Sequence, residues 1–295
     1  MAKIIASNVI GIIGGSGVYE ISGLKKTRWE KINSSFGNPS DEILFGELEG
    51  QKLVFLPRHG RGHKIPPSEI NYRANIDAFK RIGVSEIISL SAVGSLKESL
   101  APGTFVIVDQ FIDRTFSRKN TFFGSGFVAH VSMAEPVCSK LGDHLENVGK
   151  KIGISIVRGG TYLAMEGPQF SSFAESQLYR SWKCDVIGMT NMPEAKLARE
   201  AEICYASVSM VTDYDCWHES HESVSVEQII NILKSNAENG KKLISETVLH
   251  IKNDINISKC KCKNALENAI ITSKDNLDKE VSKRLSAICY RILNK

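Results

Sequence analysis

The sequence predicts a single α/β domain with a central mixed β-sheet flanked by helices. Short apolar bursts bounded by turn residues recur along the chain: VIGIIGG at 9–15, KLVFLP at 52–57, EIISLSAVG at 86–94, TFVIVDQFI at 104–112, DVIGM at 185–189 and ICYASVSMVTD at 203–213. Each reads as a buried strand. Helical patterns lie between several of them, such as NYRANIDAFKRIG at 71–83 and SSFAESQLYRSW at 171–182. Strands alternating with helices are the pattern of a sheet with helical cover.

The first strand runs into a glycine-rich turn, GIIGGSGVYE at 11–20. A dinucleotide-binding turn needs glycines at relative positions one, three and six and an acid closing a second strand about twenty residues on. Gly15 and Gly17 supply the first two, but the third falls on Glu20, and the KKTRWEKIN window at 25–33 is charged rather than strand-like. No Gly-Lys-Ser/Thr follows either, so the P-loop pattern also fails. What remains, Gly14-Gly15-Ser16-Gly17, suits either a small oxyanion bound by bare main-chain N–H groups or a tight turn that merely needs glycine.

Toward the C-terminus, Ser225 with Gln228 makes a capping box for a helix whose apolar face is Val226, Ile229, Ile230, Leu233, Ala237, Ile244 and Val248. A further helix is expected from about Ala265, with Leu266, Ile270, Leu277, Val281, Leu285, Ile288 and Ile292 on one face. The polar segment KNDINISKCKCKN at 252–264 reads as a linker to it. Residues 1–252 are thus expected to form the main body, and 253–295 a basic linker and C-terminal helix of the same domain.

The bulk composition sets further bounds. With 295 residues, 42% of them hydrophobic, the chain can bury a large core. Its apolar runs are too short for a membrane span and its N-terminus lacks a leader pattern, so a cytoplasmic protein with no membrane partner is expected. The net charge of +4 is concentrated in the tail, where residues 251–295 hold ten Lys and Arg against five Asp and Glu. Without interleaved aromatic residues this reads as a solvated face, not a nucleic-acid site. Seven scattered cysteines do not make a secreted disulfide framework, and most read as buried thiols. Cys260-Lys261-Cys262 is a lone C-x-C rather than a pair of metal-binding hooks, and the glycines at 60 and 62 argue against a helix that would align His59 with His63. No metal is expected.

In an open α/β sheet, ligands bind beyond the carboxyl ends of the strands. KLVFLP is followed by Arg58-His59-Gly60-Arg61-Gly62-His63, EIISL by Ser91-Ala92-Val93-Gly94-Ser95, DVIG by Met189-Thr190, and ASVSMV by Thr212-Asp213-Tyr214-Asp215. With Ser16, four strand ends carry an arginine, a histidine, hydroxyls and glycine-exposed amides, the ligands of an oxyanion. The fifth carries two carboxylates. Taken alone, Asp213 and Asp215 could simply cap the helix that follows, and His218 and His221 read as surface residues. An anion site beside a carboxylate site nevertheless implies two substrates, one of them inorganic phosphate as a co-substrate, the other a group whose departure an aspartate assists. That pattern points to phosphorolysis, which requires no cofactor.

GIIGGSG, LPRHGRGHKIPPSEINYRAN, SAVGSL, DQFIDRT, VSMAEP, MEGPQFSS, GMTNMPEAKLAREAEICYA and MVTDYDCW together resemble the S-methyl-5′-thioadenosine phosphorylases of the second family of purine nucleoside phosphorylases, over roughly residues 9 to 250. The resemblance implies a nucleoside phosphorylase-like subunit assembled as a trimer or a dimer of trimers. It implies phosphate held by Ser16, Arg58, His59, Ser91, Ala92 and Thr190, with Met189 under the ribose and Phe170 beside the base. Asp213 and Asp215 would stand at the purine edge as the catalytic pair. Val226, Ile229 and Ile230 would line an apolar 5′ pocket, with His130 reaching in from a neighbouring subunit.

Relatives that cleave oxopurine nucleosides carry a glutamate just after G-P-x-F and an asparagine where this chain has Asp213; here the two positions are Ser171 and Asp213. A carboxyl suits adenine, accepting from its amino group and, when protonated, donating to its imidazole-ring nitrogen. The implied reaction is phosphate-dependent cleavage of 5′-methylthioadenosine to adenine and 5-methylthioribose-1-phosphate, with adenosine a weaker substrate. Oxopurine phosphorolysis, or nucleoside binding without turnover, are the alternatives. The chain departs from relatives at Gln169 and Phe173, where arginine is often found.

Overall fold

The computed structural model describes residues 9–15, 20–218, 226–252 and 259–294, without the side chains of 226–230. The strands are β1 (Val9–Gly14), β2 (Lys25–Glu30), β3 (Ile43–Leu48), β4 (Gln51–Pro57), β5 (Val84–Ser95), β6 (Phe105–Ile107), β7 (Gln110–Asp113), β8 (Ile156–Arg158), β9 (Thr161–Ala164), β10 (Val186–Gly188) and β11 (Cys204–Tyr214). The helices are α1 (Tyr72–Ile82), α2 (Ser139–Lys151), α3 (Phe173–Ser181), α4 (Asn191–Glu200), α5 (Val226–Ile251), α6 (Lys279–Arg284) and α7 (Tyr290–Leu293). The strands join in one mixed sheet, in the order β2-β3-β4-β1-β5-β10-β9-β7, with β11 paired to β5 and β6, and β6 to β8.

At its centre β1 runs parallel to β4 and β5, and β11 runs parallel to β5. Every residue of β1 is buried, as a strand covered on both faces must be. Neighbouring residues therefore enter different cores, because side chains alternate across a sheet. Ile13, Ile87 and Tyr205 join one core, while Ile12, Ile88 and Ala206 join the other. Local signals set the helix ends. The Asn71 side chain accepts from the Ala74 amide at the start of α1, and Gly83 ends it at φ 94°. Ser172 and Glu175 close a reciprocal capping box on α3.

Three sequence expectations need correction. The charged KKTRWEKIN window does hold a strand, β2, which pairs only with β3 at the sheet edge and leaves Lys25, Lys26, Thr27 and Arg28 exposed. Charge on an edge strand blocks further pairing, so it is no argument against a strand. The TFVIVDQFI burst is two strands, because the chain leaves β6, beside β11 and β8, to pair as β7 with β9. The helix expected from about Ala265 is instead a chain of short turns, including 3₁₀ turns at Lys261–Asn264 and Lys274–Asn276, before α6 and α7. Ile270 bridges Ala129, and Asp278 caps a new helix by accepting from the Val281 amide. The apolar positions still pack inward, with Leu266, Leu285 and Ile288 fully buried in the core that holds Ile13. Periodicity marked burial there and not backbone geometry.

The capping residue expected at Ser225, and His221, lie outside the described residues. Among the described residues, no helix is long and apolar enough to cross a membrane.

Candidate active site

The register of the sheet gathers the strand ends. Gly14 of β1 lies opposite Pro57 of β4, and the Arg58 amide donates to the Gly14 carbonyl at 3.0 Å. Ser91 and Ala92 of β5 lie beside Ser209 and Met210 of β11. A register shift between Val211 and Asp213 then places Asp213 opposite Gly94, the kind of re-aiming that irregular pairing produces. Gly94 lies against both aspartates, since a Cβ there would be in ordinary contact, 3.4 Å from Asp213 Oδ1 and 3.5 Å from Asp215 Cβ. β10 meets β5 antiparallel through Ile187 and Gly94, so the chain leaving β10 at Met189 and Thr190 runs back alongside Ser91. The Ser91 hydroxyl accordingly donates to Asn191 Oδ1 at 3.0 Å.

Arg58 is buried and held by protein partners. Its Nε and one terminal nitrogen donate to Glu194 at 2.8 and 3.1 Å, and it also donates to the Ser89 hydroxyl at 2.6 Å and the Leu90 carbonyl at 3.1 Å. Both Arg58 and Glu194 side chains are 2% exposed. Burial works against the guanidinium charge, but Glu194 more than reverses it and raises the pKa. Glu194 also accepts from Ser89 at 2.6 Å and from the Tyr205 hydroxyl at 2.9 Å. Such a neutralised pair fixes the geometry around Arg58 while lending the surroundings little net charge.

His59 follows directly. Burial, then the Arg58 charge, lowers its pKa to about 4, so the ring is neutral at working pH. Its Nδ1 lies 2.8 Å from the Ile65 carbonyl, which can only accept. The proton therefore sits on Nδ1, and Nε2 is an acceptor. The ring stacks on His63 at 4.2 Å between centroids.

Asp215 is 8% exposed; its amide donates to the Ser95 carbonyl at 3.0 Å, while its Oδ2 is buried with no hydrogen-bond partner among the described residues. Asp213 is half-buried and its Oδ2 accepts from the Thr212 hydroxyl at 2.6 Å. Thr190 is buried at the head of α4 and its side chain makes no capping bond. Met189 is half-buried against Gly167, where a Cβ would meet its Sδ at 2.5 Å. Ser171 is half-buried near Met165. Phe170 is 85% exposed, and His130 is also exposed, its amide donating to the Ala269 carbonyl. Ser16 lies outside the described residues, as do the side chains of Val226, Ile229 and Ile230, although α5 begins at Val226.

Two supporting networks escaped the sequence reading, although Glu194, Asn191 and Glu166 sit inside motifs it singled out; Arg118 lies just beyond DQFIDRT. Glu194 and Asn191 belong to GMTNMPEA; Asn191 also donates to the Tyr205 hydroxyl at 2.9 Å. Arg118 is buried, bonding the Met189 carbonyl and donating to the Met192 and Glu166 carbonyls at 2.7 Å each. Glu166, from MEGPQF, takes the Ser117 hydroxyl and the Phe116 amide, each at 2.6 Å. Its burial is outweighed by these donors, which hold its pKa at about 2. Arg118 thus ties the 115–118 segment to the backbone on both sides of Thr190.

The model of the phosphorylase superfamily matches residues 9–249. The chain belongs to that superfamily. It is similar to the S-methyl-5′-thioadenosine phosphorylase of Rhodospirillum rubrum, with 56% identity over 293 residues, 99% of this chain and 100% of the relative. Among solved phosphorylase structures, it resembles a methylthioadenosine phosphorylase sourced from an antarctic soil metagenomic library, at 47% identity and a TM-score of 0.91, covering 96% of this chain and 99% of the other. It also resembles a variant of the adenosine/methylthioadenosine phosphorylase of Schistosoma mansoni solved in complex with methylthioadenosine, at 35% identity and a TM-score of 0.82, covering 88% and 97% of the two chains. The mixed sheet and its helical cover are those of a phosphorylase.

Proposed function

We propose that this chain is a pentosyltransferase that cleaves 5′-methylthioadenosine with inorganic phosphate, giving adenine and 5-methylthioribose-1-phosphate, with adenosine a weaker substrate. One observation carries the reading: β5 sets Ser91 and Ala92, the expected phosphate ligands, two or three residues from Gly94, opposite which β11 sets Asp213. Full-length similarity to named S-methyl-5′-thioadenosine phosphorylases supports it.

In this reading phosphate lies over Ser16, His59, Ser91, Ala92 and Thr190, with Arg58 and Glu194 beneath. His59 Nε2 accepts a hydrogen bond from the phosphate hydroxyl and so aims the remaining oxygens at the anomeric carbon. The glycosidic bond breaks ahead of attack, and the phosphate charge stabilises the oxocarbenium-like sugar above Met189. Protonated Asp213 donates to the imidazole-ring nitrogen of the departing adenine, and the orphaned Asp215 Oδ2 takes its amino hydrogen. Each partner matches a 6-aminopurine. Ser171, lacking a carboxylate, leaves no partner for the ring N–H of an oxopurine. Val226, Ile229 and Ile230 wall the 5′ methylthio group, and an apolar wall rejects the hydroxyl of adenosine by only about a hundredfold. No cofactor or metal enters the reaction.

We also propose a homotrimer or homohexamer in the cytoplasm. Phe116, Phe170, Phe173, Leu178 and Trp182 are exposed on neighbouring segments, at 83%, 85%, 60%, 45% and 40%. An apolar face of this kind marks a surface covered by a partner. A second copy there would close the pocket beside Phe170 and bring His130 to the 5′ end. Chromatography of reactions with methylthioadenosine, adenosine and inosine, each with and without phosphate, tests the reading. Adenine release from methylthioadenosine that requires phosphate is expected. Phosphate-independent release, or binding without release, would contradict it.

A further inference from the structure

Cys138, Cys204, Cys260 and Cys262 come together at the far end of the sheet from the candidate active site. Their four Sγ atoms all lie within 4.8 Å of one another, with Cys138 to Cys260 at 3.5 Å and Cys260 to Cys262 at 3.4 Å. These separations are well beyond a covalent S–S bond of about 2.05 Å. The 3.4 and 3.5 Å separations lie close to the sulfur spacing of about 3.8 Å that a tetrahedron with metal–sulfur bonds of about 2.3 Å requires. All four residues are at most 4% exposed.

We propose that these four cysteines bind one zinc ion as a closed tetrathiolate site. Three separate parts of the chain supply the ligands. Cys138 is the residue heading α2, Cys204 opens β11, and Cys260 with Cys262 follows α5 in the tail. The C-x-C pair is one half of a set completed by the fold. Soft sulfur donors without a carboxylate or imidazole select zinc over magnesium, calcium or manganese. Because protein fills all four positions, the ion is structural and has no open position for a substrate. Binding releases one proton from each thiol to solvent and changes no oxidation state.

The site gives the tail a fixed anchor. Beyond Cys262 the tail pairs with the segment carrying His130, through the amides of His130 and Ile271 donating to the carbonyls of Ala269 and Val128 at 2.8 and 2.9 Å. The Val128 amide donates to the Thr272 hydroxyl at 2.9 Å. The zinc ion thus holds the start of a strap whose next stretch positions the 126–130 segment.

The test uses the full chain purified in reducing buffer without chelator. Elemental analysis should find about one zinc per chain. Exchange for cobalt(II) should give the thiolate-to-metal charge-transfer bands and intense visible bands of a tetrahedral sulfur site. Cys262→Ser should lower zinc retention against a competing chelator by at least about tenfold, while Cys184→Ser, outside the cluster, should leave it unchanged. If Cys262→Ser does not fold, the wild-type zinc and cobalt measurements decide alone. A metal-free protein in which all seven cysteines titrate as thiols would overturn the proposal, as would loss of four thiols that reductant alone restores, since that pairing is two disulfides.

Discussion

At its amino end β11 brings Cys204 into a dry cluster of thiols, whereas its carboxyl end carries Asp213, half-buried, with Asp215 just beyond it. The strand is eleven residues long, so its ends lie roughly 30 Å apart. Both are polar clusters at a strand terminus, but they differ in what completes them. The thiols are enclosed by protein on every side and need only an ion. The carboxylates leave Asp215 Oδ2 without a partner among the described residues. The difference teaches that burial with mutual contact fits a structural centre, while a buried polar atom left unsatisfied by its own chain fits a place where a ligand binds.

The sharpest way to break this comparison is at the carboxyl end. Asp213→Asn should lower turnover of methylthioadenosine by about 10²- to 10⁴-fold, the usual range for losing a general acid, with thermal stability and metal content unchanged. Steady-state kinetics beside elemental analysis would show whether the two ends are independent. Next in size is Arg58→Ala, which leaves Glu194 buried and uncompensated and should cost about 3–5 kcal/mol of stability. The paired variant Arg58→Met with Glu194→Met should recover that stability in denaturant titrations yet still need more phosphate to reach half-maximal rate. An unchanged phosphate requirement in the pair would remove Arg58 from the anion site.

Smaller effects sharpen the picture of the strap. A Cβ on Gly126, at φ 85°, would meet Asp278 Cβ at 2.7 Å. Gly126→Ala should therefore destabilise by about 1–3 kcal/mol, seen as a lower denaturation midpoint with kcat on bound substrate preserved. A pH-dependent effect concerns Glu200, which ends α4 and accepts from the Phe122 amide at 2.7 Å and the Thr121 hydroxyl at 2.6 Å. Burial raises its pKa from 4.5 to about 7. A raised folded-state pKa contributes stability fully below the unfolded value and loses it as pH rises through the folded one. Relative to Glu200→Gln, the wild type should lose stability from about pH 5 to 8, at no more than about 1.4 kcal/mol per pH unit. A difference that stays flat across that window would mean Glu200 is already ionised.

Much of this was legible in the sequence, for reasons that also explain what was not. Apolar bursts ending in Arg58-His59, Ser91-Ala92, Met189-Thr190 and Asp213 announced both the central strands and the polar atoms at their ends, because a parallel sheet buries the former and projects the latter. Residues that act through others were silent. Glu194 and Arg118 look like ordinary surface charges until the fold buries them against Arg58 and the Met189 carbonyl. The thiol cluster was illegible because its ligands come from three distant places, and only the C-x-C pair is local. The tail misled because Leu266, Leu285 and Ile288 keep a helical spacing while short turns do the burying.

The most direct test of the central claim, that the carboxyl end of β11 selects and cleaves an adenine nucleoside, is the ratio of kcat/KM for methylthioadenosine to that for inosine, at fixed phosphate, in the wild type and in Asp213→Asn. The wild type should favour methylthioadenosine by about a hundredfold or more, and the substitution should cut that ratio by at least about tenfold. A wild-type enzyme that prefers inosine, or a ratio unmoved by the substitution, would contradict the account.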